Sequence, residues 1–174
     1  TYNAMQLLSK FFHTTGKIYP SSDHPLTLHA VFKDGTEVAG ESHIADHPGM
    51  IDYVYVSNTF DDEKPQASRR VVNTILESDM IVLGPGSLFT SILPNIVIEE
   101  IGQALLETKA EVAYVCNIMT QRGETERFTD SDHVEVLQRH LGRPFIDTVL
   151  VNIEKVQRDY MDTNLFDEYL VQVE

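Results

Sequence analysis

Three short runs, "DMIVLG" (79–84), "EVAYVCN" (111–117) and "IDTVLVN" (146–152), are almost wholly apolar and are separated by stretches with helical periodicity. A strand that is apolar at successive positions has both faces covered, the mark of a parallel sheet between helices. The pattern predicts an α/β fold with a Rossmann-like parallel sheet. In such sheets a ligand sits beyond the carboxyl ends of the strands. The segments following Leu83, Cys116 and Val151 are therefore the first places to look for a site.

The first third of the chain has a different character. "GKIYP" and "LTLHAVFKDGTEVAGESHI" alternate and are punctuated by Asp34-Gly35, a dipeptide suited to a tight hairpin turn. An antiparallel hairpin attached to the parallel sheet is expected. Folding about that turn puts Leu28, Ala30 and Phe32 on one face with Ala39 and Glu41 opposite, and Thr27, His29 and Ser42 on the other. Glu41 then interrupts an apolar face: either it is buried and needs a donor partner, or a bulge at Gly40 turns it to solvent. "IDYVYV" reads as a further strand. Pro65 opens a predicted helix, "PQASRRVVNTILES", with Ala67, Val71, Ile75 and Leu76 on one face. "TYNAMQLLSKFF" places Met5, Leu8 and Phe12 at helical spacing, too short and too polar for a signal or a transmembrane segment.

A chain of 174 residues holds one sizeable core, so a single domain over residues 1–174 is expected. Its 13 Lys and Arg against 27 Asp and Glu leave a net charge of −14, which repels nucleic acid and anionic membranes. A lone cysteine, Cys116, allows no intramolecular disulfide, and the simplest compartment for it is a reducing cytoplasm. Cys116 reads as a small buried strand residue rather than a nucleophile. No dedicated metal site is expected from the seven scattered histidines.

Two of the three strand ends are chemically distinctive. After Leu83, Gly84 and Gly86 permit a backbone path closed to side chains, Ser87, Thr90 and Ser91 supply hydroxyls, and Pro94 suits the first position of the helix "PNIVIEEIGQALLET". Free N–H groups at a helix start attract anions. Yet Pro85 removes one donor, and neither the lysine of a phosphate-binding loop nor a full Gly-x-Gly-x-x-Gly is present. The alternative is a plain connecting turn. After Cys116, Asn117, Thr120, Gln121, Arg122 and Glu124 converge on the same crevice if the strands are neighbours. Arg122 is either a phosphate partner or a solvated loop arginine. Asp130, Asp132 and His133 suggest acid–base or metal chemistry, but Thr129 with Asp132 three residues later fits the start of the helix "VEVLQRHL" better.

"SDMIVLGPGSLFTSILPNI", "YVCNIMTQRGETERFTDSDHV" and "FIDTVLVN", in that order, strongly resemble the bacterial gluconeogenesis factor (YvcK-like) family, itself related to the CofD-like 2-phospho-L-lactate transferases. "GKIYPSSDHPLTLHAVFKDGTEVAGES" resembles the family's middle segment. The resemblance implies a cytoplasmic, CofD-like α/β protein that binds a nucleotide sugar of the UDP-N-acetylglucosamine type. It also implies a role in cell shape and envelope precursor supply during gluconeogenic growth. Gly84, Pro85, Gly86, Ser87, Thr90, Ser91 and Asn95 match one ligand-lining loop of the family, and Asn117, Met119, Thr120, Gly123, Glu124 and Thr125 match the next. Thr27, His29, Glu41 and Arg122 are secondary candidates.

The family's opening glycine-rich strand–turn–helix does not occur here, so the chain is expected to correspond to the middle and C-terminal part of a longer protein. A non-catalytic regulatory role, with a cell-wall precursor enzyme as partner, is the preferred expectation; no cofactor is firmly implied. A phospholactate-type transferase, which would require magnesium, is the alternative, and a structural module without a ligand the third. The final "EYLVQV" is expected as a strand or arm at the subunit interface of a homo-oligomer.

Overall fold

The computed structural model describes residues 2–155 and 172–173. Its backbone forms two three-stranded sheets. Strands β1 (Leu26–Phe32), β2 (Glu37–Ala39) and β3 (Ile51–Asn58) make an antiparallel sheet in the order β2-β1-β3. Strands β4 (Met80–Leu83), β5 (Glu111–Val115) and β6 (Thr148–Leu150) make a parallel sheet in the order β4-β5-β6. The α/β architecture and the antiparallel hairpin are as the sequence predicts. Helix α1 (Tyr2–Phe11) precedes the first sheet, α3 (Arg69–Glu77) leads from it to the second, and α5 (Glu99–Glu107) and α6 (Asp130–Leu141) connect the strands of the second. No helix among the described residues is long and apolar enough to cross a membrane.

Several local expectations differ from the structure. "GKIYP" is not a strand. The hairpin pairs Ala30 with Val38 and His29 with Ala39, one step from the register read off the sequence, because the turn spans Lys33 to Thr36 and closes by Phe32 N–H donating to the Thr36 carbonyl at 2.8 Å. Strand β2 ends at Ala39. Gly40, at φ 93°, turns the chain in a conformation that a side chain disfavours, and residues Glu41–Asp46 form helix α2 instead of continuing the strand. Pro65 lies upstream of α3, whose first residue is Arg69. Pro94 does not open its helix either: a π-turn over Leu88–Ile92 leads directly into α4 (Leu93–Ile96).

One buried cluster joins both sheets. Ala30, Phe32, Ile51 and Val54 from the antiparallel sheet meet Leu88, Phe89, Leu93 and Ile96 from the π-turn and α4, and Val112, Tyr114 and Leu137 from β5 and α6. Leu88, Phe89 and Leu93 are fully buried, each side chain contributing roughly 1.5–3 kcal/mol by leaving water. Helix α6 is tied to β3 by polar contacts as well. Val54 N–H donates to His140 Nε2 at 3.2 Å, and Arg139 donates to Asp52 Oδ1 at 3.3 Å.

Coverage on both faces holds for β5, where Val112, Ala113 and Tyr114 are all buried. It does not hold for β4 and β6. Met80 and Val82 are each 56% exposed, and Val149 and Leu150 are also open. Ile81 and Leu83 face the cleft shared with α3 and α5, while the alternate residues of this edge strand point away from those helices.

Candidate functional site

The loops that leave β4 and β5 lie side by side because those strands are parallel neighbours, with Leu83 opposite Tyr114. Asn117 spans the gap: its amide donates to the Gly86 carbonyl at 2.8 Å, and Gly86 N–H donates to its Oδ1 at 3.1 Å. The side chain thus pairs with a peptide as a neighbouring strand would.

Glu124 makes the second connection. Although a carboxylate, it is 3% exposed. Its oxygens accept from the Ser87 hydroxyl, from Thr90 Oγ1 at 3.1 Å, from Phe89 N–H at 3.4 Å and from Gln121 Nε2 at 3.0 Å. Thr90 N–H donates to Ser87 Oγ at 3.1 Å. The first-turn donors at this helical start, which would attract an anion, are therefore turned onto Glu124 and Ser87. A buried carboxylate is sustained by several donors, and here they come from both loops. Thr120 and Thr125 are buried beside it, and Gln121 N–H donates to Thr125 Oγ1 at 2.9 Å.

The remaining candidates of the first loop line a cleft of about 400 Å³ between β4, α3 and α5. Gly84, Pro85, Gly86, Ser91 and Asn95 form its polar side, and Val71, Ile75, Ile81 and Leu105 form part of its apolar wall. Asn95 donates to the Ser91 carbonyl at 2.7 Å and accepts from the Ser21 hydroxyl. Asn117 also borders a smaller cavity of about 300 Å³ with Cys116, Asp130 and Asn152. Met119 makes an antiparallel bridge to Gln172; the rest of the predicted C-terminal arm lies outside the described residues. Gly123, at φ 76°, approaches the carbonyls of Ala45 and His47. Arg122 is exposed.

The secondary candidates fall elsewhere. Thr27 and His29 lie on the antiparallel sheet, where Thr27 bonds the Thr59 hydroxyl at 3.0 Å. The His29 Nε2 is 2.9 Å from Ser57 Oγ, its Nδ1 is 3.5 Å from Glu37, and its ring stacks on Tyr55 with centroids 4.6 Å apart. The Tyr55 hydroxyl donates to Glu37, which pushes its pKa up to about 12. Glu41 is exposed at the start of α2, so Gly40 resolves the apparent anomaly by turning the carboxylate to solvent.

Thr129 and Asp132 form a reciprocal capping box: Asp132 N–H donates to Thr129 Oγ1 at 3.1 Å and Thr129 N–H donates to Asp132 Oδ2 at 2.7 Å. The Thr129 N–H and the Thr129 hydroxyl, the latter at 2.8 Å, both donate to the Asp132 carboxylate and hold it below its ordinary range. His133 Nδ1–H donates to the Thr129 carbonyl at 2.8 Å, a packed and buried ring. No cluster of metal-ligating side chains occurs among the described residues. Cys116 is buried and burial raises its thiol pKa, which disfavours the nucleophilic thiolate. The Asn117–Gly86 and Glu124–Ser87 contacts span 31 and 37 residues, and no local spacing announces them.

Two adjacent loops beyond the carboxyl ends of parallel strands are thus held together by a buried carboxylate. The family described as 2-phospho-L-lactate transferase CofD matches residues 1–174. The chain belongs to the CofD family. Among its relatives, a Streptococcus pneumoniae protein that carries the gluconeogenesis-factor name is 86% identical over 174 residues, covering 100% of this chain and 54% of the relative. The gluconeogenesis factor of Bacillus subtilis is 40% identical over 155 residues, covering 89% of this chain and 48% of its own length. Crystal structures of a Bacillus halodurans protein, described in one case as a member of the UPF0052 family, match at 35% identity with TM-scores of 0.83 and 0.89. They cover 90% and 99% of this chain, and 49% and 54% of the matched chains. The chain thus spans about half the length of these CofD-family relatives.

Proposed function

We propose that this chain supplies part of the nucleotide-sugar site of a gluconeogenesis-factor protein of the CofD family, with a UDP-N-acetylglucosamine type ligand and a regulatory, non-catalytic role. The observation that carries this reading is the Glu124 junction, which fixes the loops after β4 and β5 as one unit at the strand ends where α/β sheets take ligands. Gly84, Gly86, Ser91 and Asn95 then present small and amide-bearing surface to the sugar or phosphate portion. Asn117, Met119, Thr120, Gly123 and Thr125 shape the adjoining wall. The protein acts in the cytoplasm, as a homo-oligomer, reporting envelope precursor supply to a cell-wall precursor enzyme and supporting cell shape during gluconeogenic growth.

The family description favours a second reading, transfer of phospholactate. That chemistry needs positive charge on the transferring phosphoryl group and a pocket for a flat acceptor. Titration calorimetry of the intact protein with UDP-N-acetylglucosamine, with and without magnesium and against guanosine diphosphate, separates the two. Saturable UDP-sugar binding without turnover is expected. Preference for the guanosine ligand with magnesium would replace the regulatory reading with the transferase, and no binding of either would leave a structural module.

A further inference from the structure

Ser57, His29 and Glu37 stand in line across β3, β1 and β2, on the face of the antiparallel sheet turned away from the buried cluster. The Ser57 hydroxyl is 2.9 Å from His29 Nε2, and Glu37 Oε1 is 3.5 Å from Nδ1. A carboxylate beside Nδ1 favours the tautomer that carries its proton there, which leaves a lone pair on Nε2 and makes Ser57 the donor. Simple cross-strand pairing does not account for this contact. Ser57 lies directly opposite Thr27, and His29 directly opposite Tyr55. Opposite pairs are the closer ones, yet Ser57 bonds His29 on the diagonal while Thr27 bonds Thr59 at 3.0 Å.

Tyr55 holds the imidazole in two ways. Its ring stacks on His29 with the planes 6° apart, and its hydroxyl donates to the same Glu37 oxygen. With a pKa pushed up to about 12, that hydroxyl keeps its proton through the neutral range. The His29 side chain is 18% exposed and Ser57 is half-buried, so a reactant reaches both. A hydroxyl within reach of a base that a third group orients is the signature of nucleophilic catalysis, recognised by geometry rather than by sequence position. A donor for a developing oxyanion is also at hand, because two hydroxyls bonded to each other, Thr27 and Thr59, leave one proton outside their bond. Along β3, Tyr53 exposes 45% of its surface on the same face. Its ring offers an apolar rest for part of a substrate, whereas Glu37 repels an anion.

We propose that this face carries a hydrolytic site for small uncharged esters, with Ser57 as nucleophile, His29 as general base, and Glu37 and Tyr55 as positioning residues. Ser57 Oγ adds to the ester carbonyl carbon as its proton passes to His29 Nε2. The carbon–oxygen bond to the alcohol breaks as His29 protonates the departing oxygen. Water then attacks the acyl-serine, and its proton passes through His29 to Ser57 Oγ as the carboxylic acid leaves. Ester and water become acid and alcohol, with nothing oxidised or reduced. None of these four residues lines the cleft at the Gly84 loop, so the inference is independent of the nucleotide-sugar reading.

The intact protein with p-nitrophenyl acetate as probe tests it. A burst of nitrophenolate and then slow turnover is expected, with an acetyl group located on Ser57 by peptide mass spectrometry after an acid quench. Ser57→Ala and His29→Gln should each lower the rate by about tenfold or more. Glu37→Gln should lower kcat at unchanged KM, since the carboxylate favours the imidazolium only as it forms. His43→Gln, an exposed histidine of α2 outside this constellation, should stay within about twofold of the parent. Circular dichroism verifies the fold of each variant, and the acetyl-serine measurement on the parent depends on none of them. Absence of acetyl on Ser57 of the parent, or a loss in His43→Gln equal to that in His29→Gln, would overturn the site.

Discussion

Replacing Glu124 by alanine tests the junction on which the site region depends. The substitution removes an acceptor that serves two hydroxyls, one backbone N–H and one side-chain amide. The losses are unequal. Gln121 is exposed, so water takes over its amide at little cost. The Ser87 and Thr90 hydroxyls retain each other. Phe89 is fully buried, and its orphaned N–H costs about 1–3 kcal/mol. Two hydroxyl bonds to a charged acceptor add roughly 1.5–3 kcal/mol each, partly offset because a buried carboxylate no longer has to be desolvated. The net expectation is a destabilisation of about 3 kcal/mol, read as a lower urea midpoint at unchanged slope. Glu124→Gln keeps the volume but turns a donor toward donors, and should fall between alanine and the parent. A double-mutant cycle with Ser87→Ala should give a coupling of about 1–3 kcal/mol. A destabilisation below about 0.5 kcal/mol for Glu124→Ala, the range of an ordinary surface substitution, would refute the assignment of Glu124 as the connector.

Two further perturbations probe the scaffold. His140 donates from Nδ1 to the Val136 carbonyl at 2.7 Å and accepts from Val54 N–H; burial, the largest cause, lowers its pKa below the ordinary 6.5. The unfolded chain therefore binds the proton first: this contribution is complete above about pH 6.5 and is lost as pH falls through the folded value. Thermal melts between about pH 7 and about pH 5 should show a steeper loss for the parent than for His140→Gln, and parallel curves would contradict this. Gly102→Ala places a methyl 2.8 Å from Leu141 Cδ2 and 3.0 Å from the Ile96 carbonyl. Overpacking of about 1–3 kcal/mol should outweigh the gain of about 1 kcal/mol in helix propensity, and a raised urea midpoint would count against it.

How much the sequence reveals depends on the distance between the residues concerned. The parallel strands are legible because each apolar run is a local signal, and the α6 capping box because Thr129 and Asp132 are three residues apart. The hairpin register and the conversion of "ESHI" into α2 are not, since the first depends on how the turn over Lys33–Thr36 closes and the second on Gly40 adopting a positive φ. Pro94 looks like a helix start by composition, yet Ser87 and Glu124 stabilise an earlier one through contacts reached only after folding. The candidate loops were identifiable from the resemblance. The division of labour within them was not: Ser87, Thr90 and Glu124 bond one another, whereas Gly84, Ser91 and Asn95 face a cleft.

The Asn117–Gly86 pair sets the gauge of the mouth between the loops. Aspartate at position 117 would lack the donor for the Gly86 carbonyl, and glutamine would carry the same amide one methylene further out. The spacing between the loops, and with it the breadth of molecule they could admit, is therefore fixed by the reach of one side chain at the point where the two backbones part.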